Sequence, residues 1–145
     1  RLHAILNIRM RVKALSLKKG EEYYEEGVLA NCAQIPDMLE QLCKETNEKL
    51  GNVHDILTVK LAANFHYRFM HIKPFGAGNI SVGLLMMNYI QMMFREPLII
   101  IPGEDKAKYL AAIKMQKDTP TPETFERFVG EELLSQLRKE VSPQK

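Results

Sequence analysis

From Pro74 to Phe94 the chain runs for twenty-one residues without a Lys, Arg, Asp or Glu. A stretch of that length either crosses a membrane or is folded into a core. Asn79, Ser81, Asn88 and Gln91 interrupt it, and Gly76, Gly78 and Gly83 crowd its first half. Those residues argue against a membrane span and for burial within a soluble fold. Leu84, Leu85, Met86, Met87, Tyr89, Ile90, Met92, Met93 and Phe94 fill the second half on nearly every helical face. That pattern predicts a central buried helix over about 80–94. The four Met among them read as core filling. The glycines before it predict a tight turn.

The flanking segments carry helical periodicity. Leu2, Ile5, Leu6, Arg9 and Val12 or Lys13 follow a helical period, with basic residues on the other side, and Gly20 stops that helix. Residues 21–31 read as a connection with room for a short extended piece. Pro36 suits a first helical turn, and Met38, Leu39, Leu42 and Cys43 form the stripe of a helix that ends before Gly51. Asp55 is the expected N-cap of a third helix, which must stop near Ile72 because Pro74 follows. Leu98–Ile101 is short and β-branched, yet one such run makes no sheet. Further helices are expected over Ala107–Met115 and from Pro122 to Glu140, after a linker at Thr119–Pro122. The class is mainly α. At 145 residues the chain is one domain's length, and its start at Arg1 suggests a fragment of something longer. Twenty basic against eighteen acidic residues give a net charge of +2, too little to argue for nucleic acid or an anionic membrane. Cys32 and Cys43 read as free thiols in a reducing, cytoplasmic setting.

Physically, Gly76-Ala77-Gly78-Asn79 feeding a helix is a candidate anion site, since the first amides of a helix lack partners and the dipole is positive there. The plainer reading is a tight turn with Asn79 as N-cap. The surroundings sharpen this. Phe65-His66-Tyr67-Arg68-Phe69-Met70-His71-Ile72-Lys73-Pro74-Phe75, followed by Gly78-Asn79 and Leu85-Met86-Met87-Asn88, resembles the Fic (filamentation induced by cAMP) domain family. The family signature is approximately H-P-F-x-[DE]-G-N-G-R-x-x-R between two helices. Glu96-Pro97-Leu98-Ile99-Ile100-Ile101 looks like the family's exit from its central helix. Ile35-Pro36-Asp37-Met38-Leu39 resembles the helix start that follows the target-binding flap. About 34–118 carries the resemblance.

The resemblance implies a Fic-like helical bundle around the 80–94 helix, with a short β-flap and a protein partner bound through about 21–35. In the family the motif His deprotonates a target hydroxyl, the acidic residue holds Mg²⁺, and the glycine turn and arginines hold the phosphates of ATP while AMP is transferred. This sequence departs at each role. Lys73 stands at the His position and Ala77 at the acidic one, Ile80 replaces the second Gly, and Ser81 and Leu84 replace the arginines. Pro74, Phe75, Gly78 and Asn79 match. A lysine ammonium has no lone pair with which to accept a proton. Ala77 offers no oxygen to a hard cation. Losing one electrostatic partner commonly costs ~10²–10³ in rate, and here several are gone.

The expectation is a Fic fold silent in adenylyl transfer, without metal or cofactor, acting as a binding or regulatory module. The alternative is a nucleotidyl- or phosphotransferase of altered chemistry, with Lys73, Asn79 and Ser81 as substitutes and Gly76, Gly78, Asn79 and Ser81 around an anion. A third reading makes the chain one part of a longer regulator with a separate nucleic-acid-binding domain. A buried Lys73 acting as base or nucleophile belongs to the second. His71 is expected to point away from the turn, and His66 to be a hydrogen-bonded core histidine.

Overall fold

A computed structural model describes residues 33–51, 57–113 and 122–141. The helix expected over about 2–19, most of the flap segment, Cys32, Asp55 and the Thr119–Thr121 linker lie outside those residues. The described part is helical, as expected, and contains no strand. In chain order it holds α1 (Ile35–Leu50), α2 (Thr58–Ile72), α3 (Asn79–Met93), a single 3₁₀ turn (Gly103–Asp105), α4 (Lys106–Ile113) and α5 (Glu123–Val141). None of these helices is long and apolar enough to cross a membrane.

Local sequence explains α1. Pro36 occupies its first turn, and Ile35, Leu39, Leu42, Cys43 and Thr46 bury one face at helical spacing. Thr46 satisfies its buried hydroxyl by donating to the Leu42 carbonyl (2.7 Å). Cys43 is a buried free thiol, and desolvation pushes its pKa up to about 11.

The middle position belongs to α2, which packs against α1, α3 and α5. Ten of its fifteen residues are buried, from Thr58 to Ile72. Its N-cap is Leu57 in an extended conformation, so the helix begins later than an Asp55 cap would have it. Leu57 forms no side-chain cap, so packing rather than capping chemistry sets this start. The other end obeys the Pro74 rule. Lys73 leaves the helix in the left-handed region (φ 43°), and its N–H still reaches the Phe69 carbonyl (2.9 Å).

The charge-free stretch forms α3 and lies along α2. Its burial is one-sided. Val82, Gly83, Met86, Met87, Ile90 and Gln91 face inward, while Ile80, Leu85 and Met92 reach the surface. Aromatic rings from three elements close the far side of α2. Phe125 of α5 stacks on His66 (centroids 5.2 Å apart), and Tyr109 of α4 meets Phe125 edge-on (6.0 Å).

Leu98–Ile101 is extended without being part of a sheet. Ile99 points in, while Leu98 and Ile100 point out, so the period-2 pattern is real. Side-chain amides take the place of neighbouring strands. Asn88 accepts from the Ile99 N–H (2.7 Å) and donates to its carbonyl (3.0 Å). Gln136 does the same on the other edge, accepting from Ile100 N–H (3.2 Å) and donating to Leu98 O (2.9 Å). Asn88→Ala is expected to lower unfolding free energy by about 1–3 kcal/mol, because it leaves two backbone groups of Ile99 unpaired. Urea melts would measure this, and an unchanged midpoint would contradict it.

Candidate functional site

The turn between α2 and α3 is built from inside outward. Phe75 is fully buried against Phe69 (ring centroids 6.2 Å) and anchors it. Asn79 then grips the Phe75 backbone from both sides. Its Oδ1 accepts from the Phe75 N–H (2.9 Å), and its Nδ2 donates to the Phe75 carbonyl (2.7 Å). This corrects the reading of Asn79 as N-cap. Gly78 holds the cap position at φ 79°, a region only glycine enters without strain, and Asn79 is already the first residue of α3. The side chain of Asn79 is therefore committed inward and braces the loop.

The outer face of the turn is made of Gly76, Ala77, Gly78, Ile80 and Ser81, all exposed. The first helical hydrogen bond runs from Val82 N–H to Gly78 O (3.0 Å), and no side chain caps the helix start. The positive end of α3 thus lies under an exposed, glycine-lined surface. Gly76, Gly78 and Ser81 are brought to that surface together. Lys73 sits half-buried at the end of α2, so the alternative of a buried lysine lacks the burial it requires. Leu84 is half-buried one turn into α3. No group of three or more His, Cys, Asp or Glu among the described residues could hold a metal ion.

Asn79→Ala is expected to cost about 1–3 kcal/mol by unpairing the Phe75 amide and carbonyl. Amide hydrogen exchange at Phe75 should accelerate, and exchange at the wild-type rate would show that the brace is dispensable.

Both described histidines lie away from this surface. The ring of His66 is wholly buried, with Nε2 2.9 Å from the Tyr109 hydroxyl. Desolvation pushes its pKa down to about 4, opposed in part by the Gly83 backbone near Nδ1, where no well-formed hydrogen bond is made. His71 Nδ1–H donates to the Tyr67 carbonyl (2.8 Å), back along its own helix. Sequence reasoning anticipated a bonded core role for His66 but missed its partner, Tyr109, forty-three residues away.

The helix–turn–helix geometry and the Pro74-Phe75…Gly78-Asn79 frame lie on one continuous pattern, and a sequence model of the Fic/DOC family matches residues 2–91. The chain belongs to that family. Relatives named protein adenylyltransferase Fic include one from Drosophila erecta, 32% identical over 85 residues that make up 59% of this chain and 16% of that protein. Another, from Drosophila melanogaster, is 34% identical over 73 residues, 50% of this chain and 15% of that protein. The fold is shared with a crystal structure of a Fic domain containing signaling protein from Bacteroides thetaiotaomicron, at a TM-score of 0.72 and 22% identity. That likeness covers 99% of this chain and 65% of the other. The matches to the Drosophila proteins span about a sixth of their length.

Proposed function

We propose that this chain is a Fic domain that does not transfer AMP and serves as a binding or regulatory module. The carrying observation is the outer face of the α2–α3 turn. The frame of the family motif is intact in Pro74, Phe75, Gly78 and Asn79, but the side chains presented around it are Lys73, Ala77, Ile80 and Ser81. None of them is a carboxylate for Mg²⁺, and none offers a neutral imidazole as proton acceptor. The arginine positions hold Ser81 and Leu84, which leave developing phosphate charge without side-chain cations there. A glycine-lined positive helix end survives and supports weak anion contact at most, since the Asn79 side chain is spent on Phe75.

Incubation with α-³²P-ATP and Mg²⁺ is expected to leave both the chain and added candidate proteins unlabelled. Lys73→His alone is expected to stay at background as well, because the metal-binding carboxylate and the cations would still be missing. Mg²⁺-dependent label on the wild-type chain or on an added protein would overturn the proposal, whether or not Lys73→Ala removed it.

A further inference from the structure

α3 carries apolar residues on nearly every side, a composition that belongs to a helix surrounded by other elements. Yet one of its faces is open. Ser81, Leu85, Asn88 and Met92 follow one another at intervals of four, three and four residues, the spacing of a helix–helix seam, and none of them is buried. Leu85 is 41% exposed and Met92 63%. The open face does not end with the helix. Asn88 holds the extended Leu98–Ile101 run beside α3 through both backbone groups of Ile99, and the alternation of that run turns Leu98 (45% exposed) and Ile100 (60%) outward. These four side chains expose on the order of 400 Å² of apolar surface, the size of the largest patch on a typical monomer, which is often functional.

The chemistry of this face restricts its partner. α3 has no charged residue along its length, and the first two charges beyond it, Arg95 and Glu96, are of opposite sign. The amide on the stripe, Asn88, is already committed to Ile99. The face therefore has little with which to select a foreign partner by charge or hydrogen bonding, whereas two copies can meet on it without like-charge repulsion. α3 has no acidic residue in its first turn and no basic residue in its last, so an antiparallel copy would set opposite dipole ends together where no side chain of the helix does so. The area agrees. A standard interface takes about 800 Å² from each partner, of which somewhat more than half is apolar. We infer that α3 is the seam of a symmetric dimer of this chain, with the two helices antiparallel about an axis near Asn88. That register places Leu85 of each copy opposite Met92 of the other, with Leu98 and Ile100 closing the flanks. The inference does not depend on whether the chain transfers AMP.

Sedimentation equilibrium of the full chain up to ~300 µM tests this. It is expected to show a monomer–dimer equilibrium with a dissociation constant of roughly 1–100 µM. Leu85→Glu and Met92→Lys should each raise that constant about tenfold or more. Both positions are exposed, so the far-UV circular dichroism should stay that of the wild type. An equimolar mixture of the two variants is expected to dimerise again, because the antiparallel register sets the new acid of one copy against the new base of the other. A parallel pairing would not restore it. Leu134→Glu is the control, since Leu134 is an exposed apolar position on the other side of α5 from Gln136, and it should dimerise like the wild type. A wild-type chain that stays monomeric to ~300 µM would overturn the inference. So would a dimer that survives both substitutions on α3, a mixture of the two variants that remains monomeric, or a dimer that Leu134→Glu alone abolishes.

Discussion

Gly83→Ala is expected to destabilise the fold by about 1–3 kcal/mol, although alanine is the better helix former by about 1 kcal/mol. Gly83 lies in the middle of α3, where a methyl group would stand 2.7 Å from His66 Nδ1, 2.8 Å from His66 Cε1 and 3.2 Å from Phe69 Cδ1. Neither neighbour has room to yield. Both are fully buried, and His66 is held by Tyr109 on one side and the Phe125 ring on the other. The methyl group would have to push α3 off α2, loosening the most extensive helix–helix contact among the described residues. Gly130 supplies the internal control. It also sits within a helix, α5, but a methyl group there meets nothing within 4 Å. Gly130→Ala should therefore gain up to about 1 kcal/mol from propensity alone. Urea unfolding of the pair would decide the matter. A Gly83→Ala protein as stable as wild type would mean that α2 and α3 approach less closely than described.

The second large effect is a dependence of stability on pH that belongs to one ring. The His66 pKa falls from an ordinary 6.5 to about 4 in the fold, chiefly because burial penalises the charged ring. Between those values the unfolded chain binds a proton that the folded chain refuses. Unfolding is therefore favoured as pH falls. The stability owed to the neutral ring is complete above about pH 6.5 and is lost progressively down to about pH 4, by roughly 3 kcal/mol in all. The window lies above the range in which ordinary carboxylates titrate, which helps to separate the two effects. His66→Gln is expected to be less stable at neutral pH, since it gives up the stacking on Phe125. Its stability should nevertheless fall far less between pH 6.5 and 5 than that of wild type. Parallel slopes for the two proteins would assign the pH dependence elsewhere.

Much of the helical frame was legible because its signals are local. Pro36 marked the start of α1, Pro74 forced the end of α2, and the uncharged run identified α3. The start of α2 was not legible, because Asp55 has the right chemistry for a cap while packing of Thr58 and Leu61 sets where the helix begins. Asn79 was misread for a related reason. Cap propensity applies to an isolated helix end, but Gly78 already served as the cap, which freed the Asn79 side chain for the Phe75 backbone. The extended Leu98–Ile101 run looked like a strand without a sheet. Its partners are amides eleven and thirty-eight residues away, and no periodicity reveals them. At the candidate site, the Pro74-Phe75 anchor fixed which positions carry which side chains. That the turn is braced inward, and that α3 keeps one apolar face open, required the three-dimensional arrangement.

The inward brace has a consequence for how such a loop can change over time. Its shape rests on a buried phenylalanine, a left-handed glycine and one asparagine clamped to the main chain. The exposed side chains of Ala77, Ile80 and Ser81 lie outside that brace. Shape and chemistry are therefore stored in different residues of the same turn. Substitutions at Ala77, Ile80 and Ser81 can remove or alter the chemistry while the scaffold goes on folding, and the loop can outlast its reaction as a rigid surface open to another use.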